Sequence, residues 1–169
     1  MKLWSVQPFS QINNLFTDGK IVTDWQFIDD SSRKAYFYMI ERMRHAGINI
    51  GSNSPVWAFH SCYEFQAPPS GEVIDMIFPQ ITHGELFILE LDYSRNDFLL
   101  SKYNAWCSDI YFPCFDNVSN FCSHELGKIM SNVFDINTYD EIIQACIPAI
   151  YLKDVNNISS ISQRRPSSG

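Results

Sequence analysis

Residues Glu85 to Tyr93 (Glu-Leu-Phe-Ile-Leu-Glu-Leu-Asp-Tyr) form the strongest strand signal in the chain, and acids alternate with apolar residues only in its second half. A strand with one wet face alternates with period two, so the uninterrupted apolar half marks an end buried on both faces. Such a strand needs a covered sheet around it. The segment Pro55 to His60 (Pro-Val-Trp-Ala-Phe-His), set between the turn residues Gly51 to Ser54 and a polar stretch, reads as a second, central strand. Leu3 to Val6 predicts a short first strand stopped by Pro8. Asp140 to Ile147 predicts a late strand ended by Pro148, with Ile150, Leu152 and Val155 returning onto the core.

Helical signals fall between these strands. Ser10 stands where it can cap a helix carrying Ile12, Leu15 and Phe16, and Gly19 lies just past its end. Asp29, Asp30, Ser31 and Ser32 offer caps and first-turn acids to a longer helix over Arg33 to His45, closed by Gly47. A third helix is predicted from Ser123 to Phe134, weakened by Gly127. Gln66 to Thr82 contains Pro68, Pro69, Gly71 and Pro79 without a clean period and reads as a loop. The expectation is one α+β domain over residues 1–155, followed by a Ser- and Asn-rich tail from 156 to 169.

Composition narrows the function. Apolar residues make up 46% of the 169 residues, so the bulk of the chain has enough buriable surface to fold. A formal net charge of -7 removes the general attraction to phosphate that a basic surface supplies, so a nucleic-acid partner needs a local patch. No apolar run approaches the roughly 18 residues of a membrane span, and polar Ser5, Gln7, Ser10 and Gln11 stand where a signal peptide needs an apolar block; cytoplasmic placement is expected. The five cysteines contain no CxxC pair and read as reduced core thiols. A zinc set of Cys107, Cys114, Cys122 and His124 lacks the usual paired spacing except at Cys122 and His124.

The chain has no GxGxxG, P-loop, HExxH or GxSxG. What remains is a set of polar residues on apolar strands: Gln7, His60, Glu141 and Gln144. Each also has a bland reading, as a satisfied core or loop group or a solvated strand end.

The opening Leu3, Trp4, Ser5, Val6, Gln7 with Gly19, Lys20 and Ile21 resembles a bacterial family of small proteins of unknown function. The resemblance continues through Ala35 and Tyr36, Pro55 to Ala58, Leu89 to Leu91, Leu99 to Ser101, Ala105 and Trp106, Gln144 and Ala145, and Asp154 and Val155. That pattern is in turn similar to ADP-ribosyltransferases of the diphtheria-toxin type, including those that modify nucleic acid. The resemblance implies a split mixed or antiparallel sheet with flanking helices and NAD as substrate. It implies Glu141 as the catalytic carboxylate, placed before Ile142 and Ile143 and followed by Pro148. Ser5, Gln7, Tyr36, Trp57 and Gln144 would hold the cofactor, and no metal is required. Ser5 stands where those enzymes place His or Arg. The implied role is a cytoplasmic toxin of a toxin-antitoxin or phage-defence system, modifying RNA or DNA in preference to protein and held by an antitoxin protein, with no membrane partner. The alternative is a non-catalytic binding or interaction domain on the same scaffold.

Overall fold

The computed structural model of the chain describes residues 1–78, 86–116 and 121–161. Strand β1 (Lys2–Pro8) runs directly into helix α1 (Phe9–Asp18), followed by the short strand β2 (Lys20–Ile21). Pro8 itself precedes the first helical residue, with no side-chain cap, so Ser10 lies inside the helix and does not start it. Gly19 ends α1 at φ 73°, the left-handed conformation that glycine adopts without cost.

Helix α2 (Asp30–His45) starts three residues before the expected Arg33 and buries Ser32, Ala35, Met39, Ile40 and Met43, a stripe at helical spacing. Its end is closed by two backbone bonds, Gly47 N–H to the Arg44 carbonyl and Ile48 N–H to the Met43 carbonyl, both 2.9 Å, with Gly47 at φ 78°. Strand β3 (Val56–Cys62) is buried along nearly its whole length. The stretch expected as a loop over Gln66 to Thr82 contains helix α3 (Gly71–Ile77), capped by the Ser70 hydroxyl on the Val73 N–H; residues 79–82 of that stretch lie outside the described residues. The capping serine and Glu72 in the first turn were the local signal, and the surrounding prolines masked it.

Strand β4 (Leu86–Asp92) and strand β5 (Leu99–Lys102) follow. Helix α4 (Tyr103–Trp106), a π turn (Cys107–Tyr111) and helix α5 (Phe112–Phe115) form one continuous helical run. Helix α6 (Ser123–Phe134) begins and ends where the sequence placed it. Strands β6 (Ile142–Ile147), β7 (Ile150–Tyr151) and β8 (Val155–Ser160) complete the chain. Residues 156–160, expected as part of a tail, pair instead with β4 through Phe87↔Ser160, Ile88↔Ser159 and Leu89↔Ile158. Their Ser and Asn content is what an edge strand with one wet side tolerates, which is why composition alone read them as disordered. Residues 162–169 of that expected tail lie outside the described residues.

Among the described residues, a six-stranded sheet has the order β5-β6-β3-β1-β4-β8, with β2 and β7 paired as a separate ribbon, and every registered pair is antiparallel. The fold is a single α+β domain. Period-two alternation sends Val56, Ala58, Ala145 and Ile147 to one face, where they pack with Leu3, Leu89 and Leu91 against Ile12 and Leu15 of α1 and Ile21 and Ile150 of the ribbon. The opposite face carries two separate clusters. One gathers Ala35, Met39 and Met43 of α2 with Trp106, Ile110, Val133 and Cys146. The other gathers Trp4, Phe59, Ile88 and Ile142 with Val73 and Ile74 of α3. No described helix is long and apolar enough to cross a membrane.

The seam between β3 and β1 is unusual. β1 pairs with β4 over its whole length, Lys2↔Asp92 to Pro8↔Leu86, but registers with β3 only at Trp4↔Phe59. Side chains bridge the seam on both sides of that pair. On one side the Gln66 carboxamide accepts from Lys2 N–H at 2.6 Å and donates to the carbonyls of Lys2 and His60, each at 3.0 Å. Gln66 sits at φ 56° to do so, a strained conformation for a residue with a Cβ. On the other side the Ser5 hydroxyl donates to the Trp57 carbonyl at 2.8 Å. The prediction separates strain from bonding. Gln66→Gly relieves the left-handed backbone yet loses the bridging bonds, and we expect it to lower stability by about 1–3 kcal/mol in urea unfolding. A more stable Gln66→Gly protein would contradict the assignment.

Candidate functional site

The buried residues of the second face form two separate clusters. Between them lies a cavity of about 500 Å³, well above the voids that close-packed interiors leave and within the size range of small-ligand sites. Gln7 and Val6 reach it from β1, Trp57 and Phe59 from β3, Gln144 from β6 and Tyr36 from α2. Tyr103, Cys107 and Tyr111 recur every four residues along α4 and the π turn and form its far wall with Trp106 and Phe112. A π turn adds a residue per turn, and such insertions are frequent at functional sites. No charged residue is among the described residues that line the cavity.

The walls are fixed by their neighbours. Trp57 meets Tyr36 edge-on at 5.7 Å and Trp106 at 5.3 Å between ring centroids. The Tyr111 hydroxyl and Ser32 Oγ share a hydrogen bond of 3.0 Å, which ties the π turn to α2. Gln7 Nε2 donates to Ser5 Oγ at 2.8 Å, and Gln144 Nε2 donates to Ser101 Oγ at 3.0 Å across the β5–β6 pair. The Trp57 indole N–H is buried and makes no hydrogen bond of good geometry, although it lies close enough to the Tyr36 hydroxyl to favour its ionised form slightly. Burial outweighs that contact and, with Cys146 nearby, pushes the Tyr36 hydroxyl up to about 12. Burial likewise raises Tyr103 and Cys107, so the thiol on this wall is held as the neutral form.

Comparison with family models, with curated proteins and with solved structures finds no match to this chain. The site is therefore read from its own chemistry.

Of the residues singled out in the sequence, Gln7, Tyr36, Trp57 and Gln144 are brought together on this one cavity. Ser5 is not on its wall: it is fully buried and acts from behind, with its hydroxyl between the Trp57 carbonyl and the Gln7 amide. Glu141 does not line the cavity either. It precedes β6 by one residue and stands three before Gln144, so strand alternation does not turn both to the same face. Its carboxylate lies 3.9 Å from Lys102 Nζ, and its backbone carbonyl accepts from Tyr63 N–H at 3.2 Å.

His60 is buried at the register shift of β3, where its Nδ1 meets Ser61 Oγ at 2.8 Å and its ring stacks on Tyr139. Burial lowers its pKa, in keeping with a neutral, structural ring. Tyr63, just past β3, is exposed and away from the cavity lining. Three arginines of α2 are engaged away from the cavity. Arg33 lies 3.0 Å from Asp30 and beneath Trp25, Arg44 bonds Glu41, and Arg42 lies over Phe134. Cys107, Cys114, Cys122 and His124 do not form a metal-holding group, and no such group of three occurs among the described residues.

Sequence reasoning missed Ser101, Tyr103, Trp106, Tyr111 and Phe112. The four-residue recurrence of Tyr103, Cys107 and Tyr111 was the available signal, hidden because Pro113 follows within the same helical run. The Tyr36 environment yields a pH prediction. Its folded pKa lies above the unfolded value, so the stability it reflects is complete below pH ~10 and declines as pH rises towards the folded value. We expect Tyr36→Phe to lose roughly 1 kcal/mol less stability than the parent between pH 9 and 11 in urea unfolding. Identical slopes would show that the phenol is not desolvated.

Proposed function

We propose that this cavity binds a planar nitrogen heterocycle, neutral or cationic, and that the nicotinamide ring of NAD is the ligand it suits best. The observation that carries the reading is the meeting of two strand carboxamides, Gln7 and Gln144, with the rings of Tyr36, Trp57 and Trp106 in one cavity whose described lining carries no charge. Aromatic faces attract a flat ring by stacking and attract a pyridinium cation further through their quadrupoles. An anionic ligand would find no cation among the described lining residues to neutralise it. The carboxamides supply hydrogen-bonding groups that fix the orientation of a ring which stacking alone leaves free to rotate.

A second reading is ADP-ribosyl transfer, favoured by Glu141 lying at the start of the strand that carries Gln144. Loss of nicotinamide from NAD develops positive charge on the ribose, which a nearby carboxylate stabilises, and the same carboxylate can take a proton from the acceptor. Three residues of strand separate Glu141 from Gln144, roughly 10 Å, so the ribose of a bound dinucleotide has to run along β6 towards Glu141. Lys102 would have to release the carboxylate. In this reading the protein is a toxin or phage-defence effector acting on nucleic acid, or on protein, and restrained by an antitoxin. The acidic net charge leaves such an acceptor to be gripped by a local patch or by a base entering a pocket.

One titration tests both readings. We expect NAD to quench the tryptophan fluorescence of the full chain, and Tyr36→Leu to weaken binding about tenfold while the far-ultraviolet circular dichroism is unchanged. Glu141→Ala is expected to keep the binding. If the transfer reading holds, that variant also loses the release of nicotinamide that the parent shows. Absence of NAD and nicotinamide binding would overturn the assignment of nicotinamide as the ligand.

A further inference from the structure

We infer that Gln7 and Gln144 make the cavity selective for a ring bearing a primary amino or carboxamide group over the same ring bearing an oxo or carboxylate group, an inference that rests on the heterocycle-binding reading above. Ser5 sets the orientation of Gln7. Its hydroxyl hydrogen is committed to the Trp57 carbonyl, so towards Gln7 its oxygen can only accept. That fixes the Gln7 carboxamide with nitrogen towards Ser5, and its Oε1 is left as the group free to meet a ligand. Gln144 stands on the other side of β3, on β6, with Ser101 as its partner. It is only 5% exposed, its Nε2 is spent on Ser101 Oγ, and its Oε1 takes no hydrogen bond from any described residue.

The cavity thus meets the carboxamide oxygen of Gln7 and, in the orientation that bonds Ser101, that of Gln144, both in need of donors. Buried polar groups are ordinarily satisfied, and those left without a partner after a ligand excludes water penalise that ligand. An amino group brings two N–H donors, and a carboxamide brings two donors with an acceptor beside them. An oxo or carboxylate group in the same place sets acceptor against acceptor. Nicotinamide and the amino-bearing bases adenine and cytosine share the matching edge. Nicotinate, hypoxanthine and uracil carry the mismatched one. The spacing of Ser5 and Gln7, two residues apart on one strand, lets the serine dictate the glutamine's orientation. A Thr or Ala at position 5 would change or release it.

The test is a competition panel on the full chain, read by saturation-transfer NMR and by tryptophan fluorescence. The pairs are nicotinamide with nicotinate, adenosine with inosine, and cytidine with uridine. We expect the amino or carboxamide member of at least one pair to bind on the order of 10- to 100-fold more tightly than its partner. The pair that binds identifies the source of the ring: nicotinamide alone points to NAD, and adenosine or cytidine alone to a nucleobase. In Gln144→Met, checked for folding by circular dichroism, the preference should collapse while the tighter ring still binds weakly. Gln7→Met provides the second, independent variant. Equal binding within every pair, or an unchanged preference in both folded variants, overturns the selectivity and leaves the planar-ring reading standing. No binding by any member overturns that reading and the selectivity with it.

Discussion

The hydroxyl of Ser5 on the Trp57 carbonyl is the contact on which the rest of the site depends. It lies on the seam where the two halves of the sheet, β5-β6-β3 and β1-β4-β8, are joined. A regular antiparallel ladder would lock β1 to β3 along their length and leave no room for side chains to come between. Here only Trp4↔Phe59 is in register, and side chains replace backbone partners on both flanks. The Gln66 carboxamide closes one flank. Ser5 holds the other, and beyond it Val6 and Gln7 face a cavity that also meets Trp57. A buried backbone carbonyl must find a donor, so this serine lets the strands diverge without leaving the Trp57 carbonyl orphaned.

That divergence has consequences for packing. The face covered by α1 and the β2–β7 ribbon is one continuous core, with Leu3, Leu15, Ile21, Leu89, Leu91 and Ile150 essentially inaccessible. The other face is divided, with α2, α4 and α6 over one part and α3 over another. The first face gives the sheet a rigid floor, and the division of the second leaves the cavity. Arg95 closes the floor at its far end, bonding the buried Asp154 carboxylate and the Ala149 carbonyl while lying between the rings of Tyr93 and Tyr151. That cluster holds the β7–β8 turn against β4 and β5. It takes no part in the cavity.

Much of the sheet was legible because its strands are apolar in the way buried strands must be. Val56 to His60, Leu86 to Asp92 and Ile142 to Ile147 all lie where periodicity and flanking turn residues put them. Helix α3 and strand β8 were not legible. The first hides among prolines, and the second is made of Ser and Asn whose pairing comes from β4 and not from their own propensity. The site was partly legible for the same reason: Gln7 and Gln144 stand out as polar residues on apolar strands, and the structure gathers both onto one cavity with Tyr36 and Trp57. The role of Ser5 was not, because which hydroxyl bridges a seam depends on strand order. Nor was the separation of Glu141 from the cavity, which follows from strand parity and its neighbour Lys102.

The most direct test of the account is whether a ring enters between the two clusters. The indole N–H resonances of Trp4, Trp25, Trp57 and Trp106 can be assigned by single Trp→Phe variants and followed while NAD, and separately nicotinamide, is titrated into the labelled protein. The account predicts that the Trp57 indole resonance shifts most, followed by Trp106, while Trp4 and Trp25 stay nearly fixed. A titration that leaves Trp57 unmoved, or that moves Trp25 alone, would contradict it.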